Sequence, residues 1–224
     1  MKKQISRFYG VAHIKGGSGK TATAIQMAVL LAESGREVLF VDGDTKGTHA
    51  TKLLRRRNED RTEEQPEISY TQLRSKKHLL DLVERAETEG FDLVIDTNPT
   101  VSDVFVGVLT LCQVAIHPIR LGHVELDSFS SLIDLLGMIA PIRKANNMPK
   151  LRSRTLVTDF RPSKQGRNIR DYLDGLEEMK YLGEIPHSER FGEALVGGFA
   201  LWEVAKHHQH IVQIREVIGG CIER

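Results

Sequence analysis

Short apolar runs alternate with helix-like periodic segments along most of the chain. The first run, residues 8–14, leads into a glycine-rich stretch and predicts a buried strand that enters a loop. Residues 21–34 carry apolar side chains at helical spacing and stop before Gly35, a typical residue after a helix end. Residues 38–41 form a continuous apolar run typical of a buried parallel strand. Together these segments predict a βαβ unit.

The same alternation continues toward the C-terminus. Further strands are predicted at residues 68–73, 91–95, 114–119, 154–158 and 181–185. Further helices are predicted at residues 78–89, 126–138, 169–178 and 199–218, the first with Leu79, Leu80, Leu82 and Val83 facing inward. Residues 55–67 contain no apolar side chain, which predicts a solvated helix end and loop that includes Arg55, Arg56 and Arg57. The predicted fold is therefore α/β, a mostly parallel twisted sheet with helices on both faces, in a single domain over residues 1–224.

Composition limits the possible functions. The 224 residues are 40% hydrophobic and 27% charged, as expected of a globular domain, and the net charge is only +1, so any affinity for nucleic acid must come from a local patch. Cys112 and Cys221 lie far apart, which favours two reduced thiols in a cytoplasmic protein. The N-terminal lysines are not followed by an apolar run, and no stretch is long enough to span a bilayer, so neither a signal peptide nor stable membrane insertion is expected.

The glycine-rich stretch KGGSGKT, residues 15–21, carries the strongest chemical signal. It follows a predicted strand and opens a predicted helix, and its glycines allow backbone N–H groups to converge on phosphate oxygens. The helix N-terminus adds partial positive charge at the same point. In such a loop Lys20 reaches the β- and γ-phosphates, and the Thr21 hydroxyl binds Mg²⁺. The stretch therefore predicts a P-loop that binds ATP with Mg²⁺.

This P-loop has an unusual start. Ile14 stands where the common pattern has glycine, and Lys15 follows it. In this respect KGGSGKT resembles the deviant Walker A motif of the ParA/MinD superfamily of P-loop ATPases, although His13 stands where the partitioning members often have Asn. The resemblance implies that Lys15 crosses to the nucleotide of a second subunit, giving an ATP-dependent homodimer in which Lys15 and Lys20 act in catalysis. The nucleotide-binding residues that it implies are Lys15, Gly16, Gly17, Ser18, Gly19, Lys20, Thr21 and Ala22.

Acidic residues follow two of the other predicted strands. Asp42 and Asp44 end the second strand, and Asp96 ends the apolar run at residues 91–95. Carboxylates at these strand ends lie at the edge of the sheet where ligands bind, and an apolar run that ends in Asp96 is typical of a Walker B motif that holds Mg²⁺ through water. The resemblance implies that Asp44 positions the attacking water and that Asp42 acts near Mg²⁺. Residues 45–47 depart from the family's usual Pro-Gln, and Asn98 stands where the family often has Pro.

The resemblance extends over residues 5–205. The segment that ends in Pro186 is similar to the family's Ile-Pro segment near the adenine, which implies that Pro186 contacts the nucleotide. ParA proteins carry surface positions for nonspecific duplex DNA in the second half of the chain. The basic residues found there are Arg152, Arg154, Arg161, Lys164, Arg167 and Arg170. Because the chain begins close to its first strand, the short type of ParA, without an N-terminal DNA-binding domain, is the expected class.

The sequence is compatible with three functions. In the first, a partitioning ATPase, an ATP-bound dimer coats DNA in the nucleoid, moves or positions a plasmid, chromosome region or other cargo, and hydrolyses ATP when a ParB-like or other cargo-adaptor protein binds. The second is a MinD-like membrane-cycling ATPase, which needs a basic amphipathic C-terminal helix. The third is a relative of the nitrogenase iron protein, which needs paired cysteines that this chain lacks. His207, His208 and His210 are better explained as a solvated helix face than as a metal site.

Overall fold

One seven-stranded parallel sheet organises the part of the chain that the structure describes. A computed structural model describes residues 5–44, 49–120 and 123–222. Its strands are β1 Phe8–Val11, β2 Val38–Asp42, β3 Ser69–Gln72, β4 Asp92–Asp96, β5 Val114–Arg120, β6 Arg152–Phe160 and β7 Met179–Pro186. Its helices are α1 Lys20–Glu33, α2 His49–Asp60, α3 Lys76–Glu89, α4 Asp103–Leu111, α5 His123–Ala145, α6 Lys164–Asp174, α7 Glu189–Val196, α8 Leu201–Val204 and α9 Ile211–Ile222. The α/β prediction is confirmed.

Helices cover both faces of the sheet. Successive strand residues point to opposite faces, so each strand contributes to two cores. In β4, Val94 packs into one core, whereas Leu93 and Ile95 pack into the other. The first core lies under α1, α2, α8 and α9, and the second lies under α3, α4, α5 and α6. This double burial explains why the strands are continuous apolar runs in the sequence.

The strand order brings the loop after β1 beside the ends of two strands that finish in an aspartate. The order is β3-β2-β4-β1-β5-β6-β7, with β1 between β4 and β5. In register, Val11 pairs with Asp96 of β4, and Asp42 of β2 pairs with the same residue. Because all of these strands are parallel, their carboxyl ends share one edge of the sheet, the edge at which α/β folds bind ligands.

Two side chains on α2 and α3 depart from the predicted burial. Arg57, predicted to be solvated, is fully buried in α2, where its guanidinium lies 2.5 Å from the carboxylate of Glu203 and also donates to the Pro66 carbonyl at 2.8 Å. Leu80, predicted to face inward, is 47% exposed on α3. A run of charged residues has no apolar periodicity, so the sequence does not show that Arg57 is the arginine with a buried partner.

The predicted helix at residues 199–218 is wrong as a single element. The structure has the short helix α8, a turn, and then α9, and it also adds α4 and α7, which the pattern did not predict. The polar residues 206–210 separate the apolar side chains of α8 from those of α9, so His207, His208 and His210 lie in the turn and not on a helix face. Within the described residues, no three or more His, Cys, Asp or Glu side chains are arranged to hold a metal ion.

Both cysteines are buried and neither forms a disulfide. Cys112 packs in one core and Cys221 in the other. Burial raises the pKa of each thiol to about 12, so neither is a reactive thiolate at neutral pH. In the described ranges, none of the helices combines the length and the apolar character that crossing a membrane requires.

Candidate nucleotide-binding site

The glycine-rich loop is held against the carboxyl end of β6. Gly19 adopts a left-handed conformation, φ 95°, and a Cβ atom there would lie 2.8 Å from Cγ2 of Thr158. The Thr158 hydroxyl donates a 2.9 Å hydrogen bond to the Ser18 carbonyl. Glycine is therefore required at position 19 both by backbone conformation and by close approach to β6.

The N-terminus of α1 is open to an anion. Its N-cap residue, Gly19, makes no side-chain capping bond, and its first turn contains no acidic residue, so backbone N–H groups and the helix dipole are directed toward the loop. Lys20 is 7% exposed at this point, and its Nζ donates to the Lys15 carbonyl at 2.9 Å. Burial lowers the pKa of Lys20, and the nearby Asp96 partly opposes that shift. A phosphate group would satisfy both the helix N-terminus and this cation.

Buried carboxyl groups lie beside the start of α1. Thr21 Oγ1 donates a 2.6 Å hydrogen bond to Oδ2 of Asp96, and burial raises the pKa of Asp96 to about 7. Burial also raises the pKa of Asp42, whose carboxylate accepts hydrogen bonds from the backbone N–H groups of Asp44 and Thr51. Gly43 permits this convergence, because a Cβ there would lie 2.6 Å from the Asp96 carbonyl oxygen.

This donor set fits Mg²⁺. Asp96 Oδ1 is buried without a hydrogen-bond partner in the described structure, and a hydroxyl and carboxylates are the hard oxygen ligands that Mg²⁺ takes. Thr21 and Asp96 would hold the ion, with Asp42 close by. Few protein ligands suffice, because Mg²⁺ usually keeps several waters and binds substrate phosphates.

Asp44 lies at the edge of the site, where its neighbours fix its position. Nδ2 of Asn98 lies 3.1 Å from Asp44 Oδ1, and Nε2 of Gln72 lies 2.9 Å from the Asp44 carbonyl. Gln72 ends β3, and nothing in the sequence pattern marked it. The structure brings Asp42, Asp44 and Asp96 together as the sequence predicted, whereas the unusual residues 45–47 lie outside the described residues.

The other predicted nucleotide residues lie along the same edge. Gly16 and Gly17 are exposed in the loop, and Ala22 is half-buried in the first turn of α1. Lys15 is half-buried, and its backbone N–H is bonded to the ring of His13. Pro186 ends β7, opposite Phe160 of β6.

A polar cluster surrounds the end of β6, and of its members sequence reasoning singled out only Arg161, as a DNA-binding residue. Asp159 has a left-handed backbone, φ 55°, and its carboxylate accepts hydrogen bonds from Arg120 and His187. Burial opposes ionisation of Asp159, but these two partners together hold its pKa below the usual value. Arg161 lies 3.0 Å from Nε2 of His187. The residues come from the ends of three strands, so only the fold brings them together.

The six basic residues predicted for DNA do not form one surface. Arg152 begins β6 and Arg161 follows its other end, about 30 Å away for a strand of nine residues. Arg154 is buried and donates to the Gly220 carbonyl, and Arg170 is paired with Glu184. The exposed members at the edge that carries the glycine loop are Arg161, Lys164 and Arg167.

Comparisons with known proteins point to a family of nucleotide-binding proteins. Residues 9–198 match the family model described as the CobQ/CobB/MinD/ParA nucleotide binding domain. The chromosome-partitioning ATPase Soj of Thermus thermophilus is 30% identical, with 84% of each chain covered. The chromosome partitioning protein ParA of Caulobacter vibrioides is 34% identical over 88 residues, which are 39% of this chain and only 31% of that protein.

Solved structures share the fold. The ATP complex of a McdA variant from Cyanothece superposes with a TM-score of 0.73 at 15% identity, covering 97% of this chain and 95% of that chain. MinD from Pyrococcus horikoshii, complexed with Mg-ADP, gives a TM-score of 0.71 at 16% identity, covering 98% of this chain and 97% of that chain.

The fold and the loop define a P-loop nucleotide-binding protein. Within that class, the chain belongs to the CobQ/CobB/MinD/ParA family, since the family model spans most of it and the Soj match covers 84% of both chains. The family resemblance predicted from the sequence is confirmed.

Proposed function

We propose that this chain is a Mg²⁺-dependent partitioning ATPase that acts as an ATP-driven dimer. The observation that carries the proposal is the uncapped start of α1, with buried Lys20 on one side and the Thr21–Asp96 pair on the other. This arrangement supplies donors for a triphosphate and oxygen ligands for its metal ion. Soj and ParA, the curated relatives, are both named for chromosome partitioning, which supports the same class of process.

Hydrolysis is assigned to Asp44. Its carboxylate lies at the rim of the phosphate cradle, where the Asn98 amide fixes its orientation and the carboxylate can align a water with the γ-phosphate. A bound Mg²⁺ supplies neutralisation of phosphate charge. Asp44 then accounts for positioning and proton acceptance, whereas Lys20 stabilises charge on the phosphates.

Dimerisation is assigned to Lys15. The residue precedes the cradle, and its carbonyl is held by Lys20, so its side chain departs from a fixed point on the loop. A second lysine near Lys20 is attracted to a bound triphosphate. When the phosphate is absent, the two cations repel each other. Nucleotide from a second subunit would therefore join two chains in a sandwich dimer.

DNA binding is assigned to Arg161, Lys164 and Arg167. These exposed side chains lie where β6 leads into α6, at the edge of the sheet that carries the glycine loop. The three cations of one copy become six in a dimer, so ATP-dependent dimerisation increases affinity for the phosphate backbone without sequence preference. Such a dimer would associate with the nucleoid in the cytoplasm, and a ParB-like or other cargo-adaptor protein would trigger hydrolysis.

A MinD-like membrane cycle is less well supported. The apolar side of α9 is already covered, since Ile214, Val217 and Ile218 are buried against the rest of the domain. On the same helix, Arg215 is paired with Glu33 and stacks over Trp202. Val212 is the large apolar side chain that α9 leaves exposed, at 68%, which is little for insertion into a lipid surface.

Calorimetry and sedimentation test the proposal together. The wild-type chain should bind ATP in the presence of Mg²⁺, sediment as a dimer, and then co-sediment with duplex DNA of any sequence, whereas Lys20→Ala should lose tight ATP binding because it lacks the charge-assisted contact. Equal ATP affinity in Lys20→Ala would refute the nucleotide site. A wild-type dimer that ignores DNA but sediments with anionic liposomes would support the membrane cycle instead.

A further inference from the structure

The ring of His13 fixes the point from which Lys15 leaves the loop. His13 follows β1 and is completely buried. Its Nδ1 accepts a 3.1 Å hydrogen bond from the backbone N–H of Lys15. On the other side of the same residue, the Lys15 carbonyl accepts from Lys20 Nζ. Both backbone polar groups of Lys15 are thus held, one by a ring and one by the phosphate-binding lysine.

The protonation state of His13 follows from this contact. A ring nitrogen that accepts a hydrogen bond carries no proton, so the neutral ring has its proton on Nε2. Burial first, and then His117 and the lysines of the loop, lower the pKa of His13 to about 3. The ring therefore stays a neutral acceptor throughout the physiological range, and it adds no positive charge next to the phosphate site.

Neighbouring groups hold the ring and the backbone before it. His13 stacks on Phe129 of α5, with ring centroids 6.2 Å apart and planes 21° apart. His117 of β5 lies with Nδ1 2.8 Å from the Ala12 carbonyl, and burial lowers the pKa of His117 to about 4. The Ala12 N–H donates to the Ile116 carbonyl at 2.8 Å. The residue before His13 is therefore anchored to β5, so the ring has little freedom to move away from Lys15.

We propose that His13 is a positioning residue for Lys15, and that it sets the strength of the ATP-bound dimer rather than the affinity of one chain for nucleotide. This inference rests on the proposed role of Lys15 at the nucleotide of the second subunit. Loss of the ring acceptor lets the Lys15 peptide rotate, so the side chain must be ordered when the dimer forms. The phosphate cradle, which begins with the next residues, keeps its contacts to Thr158 and α1.

An asparagine should replace this histidine. The ring acts on the N–H two residues further along the chain, which is the contact that an Asn side-chain oxygen makes in an Asx turn. His13→Asn should therefore keep the acceptor and restore function. His13→Leu fills similar space without an acceptor, and should leave the Lys15 N–H unsatisfied.

The experiment measures dimerisation and nucleotide affinity separately. Sedimentation equilibrium with Mg²⁺ and AMPPNP gives the dimer dissociation constant, and calorimetry with ADP gives the affinity of one chain. One neutral hydrogen bond changes an equilibrium constant by about fivefold, and the dimer contains two, so His13→Leu should weaken dimerisation by about 25-fold. ADP affinity should change by less than about twofold, and His13→Asn should stay within about threefold of wild type in both measurements. His207→Leu, in the exposed turn before α9, is the matched control and should change neither.

A double variant separates this inference from the proposal on which it rests. In a Lys15→Ala background, His13→Leu should have no further effect on dimerisation, because the side chain that it positions is absent. A full additional loss there would overturn the positioning role and assign His13 to the loop as a whole. If Lys15→Ala itself dimerises like wild type, the sandwich model fails, whatever His13 does.

A measurement on the wild-type chain guards against variants that do not fold. In ¹⁵N spectra of the imidazole nitrogens between pH 5 and 8, His13 should remain neutral with its proton on Nε2. A His13 ring that carries its proton on Nδ1, or that titrates in this range, cannot accept from Lys15 and would overturn the inference.

Discussion

The side-chain amide of Asn98 lies 3.1 Å from the carboxylate of Asp44, and joins the loop after β4 to the loop after β2. Each loop follows a strand that carries an acidic residue of the site, Asp96 in β4 and Asp42 in β2. The hydrogen bond fixes one carboxylate oxygen, so the orientation of Asp44 depends on Asn98. If Asp44 positions the reacting water, as proposed, Asn98 should influence hydrolysis through the orientation of Asp44 and without touching the water itself.

Asp44→Ala should bind ATP and dimerise but hydrolyse ATP about 10² to 10⁴-fold more slowly, because a positioned general base is lost while the phosphate cradle is kept. Turnover should be measured with DNA and, once it is identified, the partner protein. Asn98→Ala should give a smaller loss in the same direction. Unchanged turnover in Asp44→Ala would transfer the role to another acid, with Asp42 the first to examine.

Asp96 should make the nucleotide-free protein less stable as pH rises. Its folded-state pKa of about 7 lies above the ordinary value of 3.8, so between these values the folded chain binds more protons than the unfolded chain. Stability contributed by the protonated group is therefore complete below about pH 4 and is lost as pH rises through 7, by at most about 4 kcal/mol. The charged groups that act on it are Lys20, Asp42 and Asp44, and Thr21 donates to it.

Thermal unfolding of Asp96→Asn checks this sign. Without Mg²⁺ or nucleotide, the variant should melt at a higher temperature than wild type at pH 8, and the difference should be clearly smaller at pH 5, where less of that stability has been lost. Mg²⁺ and ATP should stabilise wild type at pH 8 much more than the variant, because the ion needs the ionised carboxylate. A variant that is less stable than wild type at pH 8 without ligand would contradict the shifted pKa.

Glu203→Ala should destabilise the fold strongly. It removes the partner of Arg57, whose side chain is 0% exposed, and it also removes the acceptor for the Ala200 N–H at the start of α8. Breaking a buried ion pair from one side typically costs about 3–5 kcal/mol. Denaturant unfolding measures the loss, and Glu59→Ala, which removes the exposed partner of Arg55, is the control and should cost less than about 1 kcal/mol. Equal losses in the two variants would mean that the buried ion pair contributes no more to the free energy of unfolding than the exposed one.

Sequence pattern predicted the parts of this molecule that depend on local order. The glycine loop, Lys20 and the acidic strand ends each follow a strand in a fixed pattern, so a candidate site could be predicted from the sequence alone. Arg57 could not be assigned, because its partner Glu203 is 146 residues away and a charged run has no periodicity. The pairing of Asn98 with Asp44 and the contact of Thr158 with Gly19 also arise only when separate strands meet at one edge. The C-terminal helices were joined in error because apolar spacing alone does not reveal the polar turn between α8 and α9.

The distribution of exposed basic residues provides a control for the proposed DNA-binding surface. Changing Arg161, Lys164 and Arg167 to Glu should abolish ATP-dependent binding to duplex DNA and leave ATP binding and dimerisation intact. The matched control makes the same charge change with the exposed residues Lys144, Lys150 and Arg152, which lie toward the amino end of β6. That control should bind DNA nearly as well as wild type if position matters and not net charge alone.

Single changes refine the test, because each lost phosphate contact should reduce the slope of log affinity against log salt by about one unit per site. Equal loss in both triple variants would mean that general charge attracts DNA, and no loss in either would leave cargo to be held by protein contacts alone.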